Sequence, residues 1–168
     1  MLNLLRRVKT ACTTAPNRGD WQYALGLLIA FAIVYLPIGF YLEFLAIDVQ
    51  LSVWKILGVL VSAFLMPGVN EELMFRALLI PHQTEGGSIG KRKFYALMSL
   101  VLFIFYHLHP FVPSFFRTPA FLIGAALVGV VCTLSYWKSG SIWPSIVLHW
   151  LIVVAWLLVF GGLKHFSG

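Results

Sequence analysis

Five long apolar runs, separated by short stretches of charge, glycine and proline, set the rhythm of the chain. They extend over about Trp21 to Leu42, Val53 to Ile80, Phe94 to His109, Pro119 to Tyr136 and Trp143 to Leu163. A helix rises 1.5 Å per residue and needs about 20 apolar residues to cross a hydrocarbon layer, so runs of this length predict membrane-crossing helices. The interruptions are Glu43 and Asp48, Gly86-Gly87 with Lys91-Arg92-Lys93, Pro110 and Pro113, and Lys138-Ser139-Gly140, the residue types that mark connections. Strands of a transmembrane barrel alternate apolar and polar residues, whereas these runs are continuous. The pattern predicts an all-α fold, a polytopic membrane helical bundle of about five transmembrane helices. Residues 1–20 read as a basic cytoplasmic N-terminal segment, and 21–168 as a single transmembrane domain with its motif-bearing core at about 53–163. No A-x-A-like cleavage site follows the first run, which reads as a retained anchor.

Composition narrows the class. Of 168 residues, 60% are hydrophobic and 11% charged, against about a quarter charged in soluble domains. That excludes an ordinary soluble globule and a disordered tail. The net charge of +6 does not point to nucleic acid, because its distribution is that of orientation charge. With the N-terminus inside, the inner segments hold Arg6, Arg7, Lys9, Arg18, Lys91, Arg92, Lys93 and Lys138, while the outer ones hold only Lys55, Arg117 and Lys164. The positive-inside rule then predicts a multi-pass protein of the cell (cytoplasmic) membrane with a cytoplasmic N-terminus, in contact with membrane lipid and with no nucleic-acid partner. Cys12 and Cys132 have neither metal nor redox spacing.

Polar residues inside the runs carry the chemistry. Asn70, Glu71, Glu72 and Arg76 fall in the second run, His107 in the third and His149 in the fifth. Ionisable groups at membrane depth cost a few kcal/mol each and face a bundle interior; polar glue between helices contributes only about 1 kcal/mol per bond and does not require two carboxylates, an arginine and two histidines. Glu72 and Arg76, four apart, share a helix face and can pair. Glu71 sits about 100° around the helix from Glu72, free to face a cavity, and Pro67 just before the cluster can kink the helix. A carboxylate beside an imidazole can deprotonate a water, and a second imidazole can donate to the oxyanion formed on a carbonyl. Two histidines and a glutamate (Glu71, His107, His149) are also the ligands of an open zinc site, but H-E-x-x-H is absent. The expectation is no cofactor, with zinc the one candidate. Ser145, four residues before His149, offers a nucleophile without an evident third orienting group.

These motifs resemble a known family. Glu71-Glu72-Leu73-Met74-Phe75-Arg76 matches the E-E-x-x-x-R motif of the CPBP intramembrane proteases, which include the type II CAAX prenyl endopeptidases, and Phe103-Ile104-Phe105-Tyr106-His107 matches their F-x-x-x-H motif. The stretch from Gly129 to His149 resembles the family's third motif helix, although Val153 stands where H-x-x-x-N has Asn. Phe105 to His109 fits the second motif equally well. The resemblance implies a membrane endopeptidase acting near the C-terminal tail of a membrane-associated protein substrate. In it Glu71 and His107 activate water, His149 supports the oxyanion, and Arg76 orients the acidic pair through Glu72. It implies a glutamate-type mechanism without metal. The form around His149-Trp150, with Trp156 beyond, is similar to prokaryotic members linked to C-terminal sorting tails.

Other readings predict other behaviour. A non-catalytic, immunity-like membrane partner of the same family would not need Glu71, and a proton-coupled transporter would use Glu and His as a relay. His82 and His165, near membrane edges, read as solvated; Phe103, Phe105 and Phe111 as packing or lipid-facing; Gly124 and Gly129 as sites of close helix contact.

Overall fold

A computed structural model of the chain describes residues 2–166. Its helices are α1 (Leu2–Thr13), α2 (Arg18–Tyr41), α3 (Val53–Ala63), the single turn α4 (Asn70–Glu72), α5 (Ile89–Tyr106), α6 (Pro119–Ser139) and α7 (Trp143–Leu158). The fold is 78% helical, with no strand among the described residues. Among the described residues, three segments are long and apolar enough to cross a membrane: Arg18–Tyr41, Val53–Glu85 and Pro119–Ser139. α7 is apolar but has 16 residues, and α5 carries its three cations near its start.

Caps explain several boundaries. The Asn17 side chain accepts from the Asp20 amide at 3.0 Å, and Asp20 accepts from the Asn17 amide at 2.9 Å, a reciprocal pair that starts α2. α7 stops at Leu158, short of the apolar run. There the carbonyls of Leu158, Val159 and Phe160 accept from the amides of Gln50, Asp48 and Ala46, so the connection after α2 satisfies the helix end.

α6 lies at the centre, packed on α2, α5 and α7. Two of its glycines admit neighbours that a methyl would displace: a Cβ at Gly124 would lie 2.6 Å from the Tyr35 ring of α2, and one at Gly129 would lie 2.6 Å from Leu100 of α5. Both act as the close-contact positions their sequence context predicted.

The basic N-terminal segment contains a docked helix that its polarity concealed. Ala11 of α1 is fully buried against Ala77, Ile80, Tyr136, Ile142 and Ile146. Arg7 reaches Glu85 with Nε at 2.5 Å and Nη2 at 2.7 Å, and donates through Nη1 to the Leu78 carbonyl at 2.7 Å.

Two histidines depart from the expectation of solvation. His82 is 3% exposed, its Nε2 3.0 Å from the Gly140 carbonyl and its Nδ1 2.8 Å from Thr84 Oγ1. Gly140 ends α6 in the left-handed region, φ 66°, where a Cβ would crowd His82; glycine alone lets the ring in. His165 is half-buried and stacks on Phe44 with centroids 4.5 Å apart.

Candidate active site

The second apolar run is not one straight helix. Met66 leaves helical geometry (φ −143°, ψ 109°) just before Pro67, within a wide turn at Phe64–Val69, and a π-helical turn follows at Leu73–Leu78. Such turns break the i to i−4 register and recur at functional positions. Between them α4 presents Glu71, 6% exposed, and Glu72, fully buried.

Glu72 is the anchor of the polar core. Its Oε1 lies 3.1 Å from Arg76 Nη1, as the spacing predicted, and 2.8 Å from His149 Nδ1. Arg76, also fully buried, donates through Nη2 to the Gly129 carbonyl at 3.1 Å. Its guanidinium carbon sits 4.5 Å from the centroid of the Phe103 ring, a cation–π contact. A carboxylate only accepts, so an ionised Glu72 fixes the proton of His149 on Nδ1 and leaves Nε2 turned toward Glu71, whose Oε2 is 4.0 Å away.

Glu71 is not tied down in this way. Its Oε2 is buried without a hydrogen-bond partner, and the residue lines a cavity of about 410 Å³ together with His107, His149, Tyr106, Val153 and Trp156. His107 enters from the end of α5, 6% exposed, with Nδ1 2.8 Å from the Phe103 carbonyl. A carbonyl too can only accept, so the proton sits on Nδ1 and Nε2 remains an acceptor. His109 stays outside the cavity lining and accepts from the Phe111 amide at 3.1 Å.

The structure therefore gathers all five sequence-nominated residues: Glu71, His107 and His149 on one cavity, with Glu72 and Arg76 behind them. Ser145 does not join, because its hydroxyl donates to the Cys132 carbonyl at 2.9 Å. For zinc, the three residues that line the cavity do not form a compact set. Among the described residues, the donor atoms that gather within 4.8 Å belong to Glu72, Cys132 and His149. Of these, Glu72 Oε1 already serves Arg76 and His149, and the Arg76 guanidinium occupies the place of a cation.

Phe103 takes the packing alternative: it is 1% exposed, and both motif histidines meet its ring edge-on, at 4.8 Å for His107 and 6.0 Å for His149. Its place four residues before His107 puts it on the same helix face. Phe105 and Phe111, by contrast, are 62% and 93% exposed. Trp156 joins the site without a motif to announce it: its indole Nε1 is buried without a hydrogen-bond partner, and the residue lines the cavity.

The family model for type II CAAX prenyl endopeptidase Rce1-like proteins matches residues 52–155, well over half the chain and all five polar residues. The chain belongs to the Rce1-like family. No curated protein and no solved structure matches it. Membership makes this Rce1-like chain a CAAX-type intramembrane endopeptidase at the level of the family, and with its membrane-length helices a multi-pass membrane protein. The matched span begins just before α3 and ends within α7, so α1 and α2 lie outside it although Phe31 and Tyr35 of α2 line the cavity.

Proposed function

We propose that this Rce1-like protein hydrolyses a peptide bond near the C-terminus of membrane-associated proteins, with Glu71 as the base that activates water and no metal in the reaction. One observation carries the reading: of two adjacent buried carboxylates, Glu72 is engaged by Arg76 and His149, while Glu71 lines the cavity beside two imidazoles with its Oε2 free of any hydrogen bond.

In the proposed reaction Glu71 takes a proton from water as the water oxygen bonds to the scissile carbonyl carbon. His107 Nε2, left as an acceptor, holds the same water. The tetrahedral oxyanion accepts a hydrogen bond from His149 Nε2, which carries a proton there only when both ring nitrogens are protonated, since Nδ1 is given to Glu72. The C–N bond then breaks, and the proton held by Glu71 passes to the leaving amine. Val153 offers no donor where the family motif has Asn, and in this reading His149 supplies the hydrogen bond to the oxyanion. Glu72 and Arg76 position His149 and do not touch the substrate. In this reading the protein belongs to the cell membrane with its N-terminus in the cytoplasm, an orientation that the basic residues of α1 and of the start of α5 support.

The test compares membranes from cells carrying the native chain and Glu71→Gln, reading C-terminal fragments by mass. Fragments that vanish with Glu71→Gln support the reading, and an unchanged fragment set overturns it. Cleavage that persists in strong chelator supports the metal-free step, and its loss restored by zinc overturns that step.

A further inference from the structure

At the end of the bundle where α1 meets the turn before α5, two adjoining hollows open, of about 290 and 550 Å³, sharing Arg7, His82, Glu85 and Lys91 in their walls. Arg92 lines the first and Arg6 the second, which sets four cations against one carboxylate. Two of the four are already committed. Arg7 holds both oxygens of Glu85. Arg92 donates to the Pro81 and Trp137 carbonyls at 3.2 and 3.0 Å and lies 4.1 Å over the Trp137 ring. Arg6 and Lys91 are both exposed, and neither has a carboxylate partner among the described residues. Two cations that converge on a hollow from different helices, with no carboxylate to neutralise them, call for an anion.

Exposed apolar side chains accompany the cations along the chain. Ile89 lines the first hollow and is 69% exposed; Leu5, next to Arg6 in sequence, is 64% exposed, and Phe94, three residues after Lys91, is 59% exposed. A free phosphate would make no use of them, whereas a lipid can lay its chains along them while its phosphate sits among the basic groups. The geometry points to a site for the phosphate headgroup of an anionic phospholipid, held by Arg6 and Lys91 with its acyl chains against Leu5, Ile89 and Phe94. The site is remote from the Glu71 cavity and shares no lining residue with it, so it stands whether or not the chain cleaves peptides.

The test uses the full chain purified in detergent and native mass spectrometry to count retained lipid during titration with phosphatidylglycerol or phosphatidylcholine. The native chain retains phosphatidylglycerol in preference to phosphatidylcholine. Arg6→Gln with Lys91→Gln weakens that retention about thirtyfold, at on the order of 1 kcal/mol per basic group. Lys9→Gln with Lys93→Gln removes the same charge from the same end outside both hollows and leaves retention within about threefold. If the double variant fails to fold, Lys91→Gln alone still weakens retention about fivefold. Equal losses in the two double variants would mean a diffuse basic belt and overturn the site. Displacement of the lipid by a millimolar excess of inorganic phosphate would overturn the lipid as occupant.

Discussion

His149 and Glu72, 77 residues apart in the chain, meet at 2.8 Å between Nδ1 and Oε1. The contact joins α7 to α4 across the bundle and gives adjacent carboxylates different work. Glu72 becomes the shared acceptor for a guanidinium and an imidazole, and Glu71 is left to the cavity. A buried carboxylate that neutralises an arginine is part of the structure; one without a partner is expensive unless it has a use.

That division predicts opposite phenotypes for neighbouring substitutions. Glu71→Gln keeps the shape of the side chain and removes the base. Cleavage falls by at least about a hundredfold, the usual worth of a general base, while the unfolding midpoint in detergent hardly moves. Retained cleavage with normal expression would remove Glu71 from the reaction.

Glu72→Gln strikes the fold instead. It leaves the Arg76 guanidinium fully buried without its counter-charge, at a cost of about 3–5 kcal/mol. Adding Arg76→Met removes the stranded charge and recovers part of that loss, so the two changes are strongly non-additive. Denaturant titration of the two single variants and the double variant measures the coupling; additive losses would show that the pair is not coupled.

Much of this was legible because the chemistry of a membrane interior is strict. Continuous apolar runs can only be helices there, and Glu71, Glu72, Arg76, His107 and His149 stand out because ionisable groups at that depth are costly. The i, i+4 spacing gave the Glu72–Arg76 pair directly. What stayed hidden depends on contacts between distant segments. The Glu72–His149 bond, the burial of His82 against Gly140 and the role of Phe103 as the ring between two histidines have no local periodicity. α1 was hidden for a different reason: a segment read for its basic residues has no long apolar run, yet a short stripe of Val8, Ala11 and Cys12 docks on the bundle.

The two candidate histidines of the second motif separate cleanly. His107 lines the cavity with an open Nε2, and His109 lies outside the lining. His107→Ala lowers cleavage by about a hundredfold or more, and His109→Ala leaves it within about threefold. The reverse order, in the same fragment assay, would move the site to the loop.

Arg7 ties α1 to the connection after α4 through both oxygens of Glu85 and the Leu78 carbonyl. Exposed ion pairs give about 0.2–1 kcal/mol, and this one adds a partly buried bond to the main chain, so Arg7→Gln loosens α1 without unfolding the bundle. Hydrogen–deuterium exchange reads the difference: amides of residues 6–13 exchange faster, and those of α6 keep their protection. Uniform acceleration through α6 would show that α1 is integral to the core.

The crossing of α2 and α6 at Gly124 gives a sharper packing test. A methyl at Gly124 would meet Tyr35 Cζ and Oη at 2.6 Å, and the Tyr35 hydroxyl donates to the Ala120 carbonyl at 3.0 Å, so the ring is pinned where the methyl must go. Gly124→Ala therefore forces the ring off its bond and costs about 1–3 kcal/mol, the range for overpacking a tight interior. Tyr35→Ala costs about 3–5 kcal/mol through the space it leaves. Once the ring is gone, the extra methyl at 124 meets no clash, so the double variant is no less stable than Tyr35→Ala alone. Because Tyr35 also lines the Glu71 cavity, Gly124→Ala lowers cleavage as well as stability. Additivity of the two changes within about 0.5 kcal/mol in denaturant titration would mean that the ring does not fill the glycine's niche.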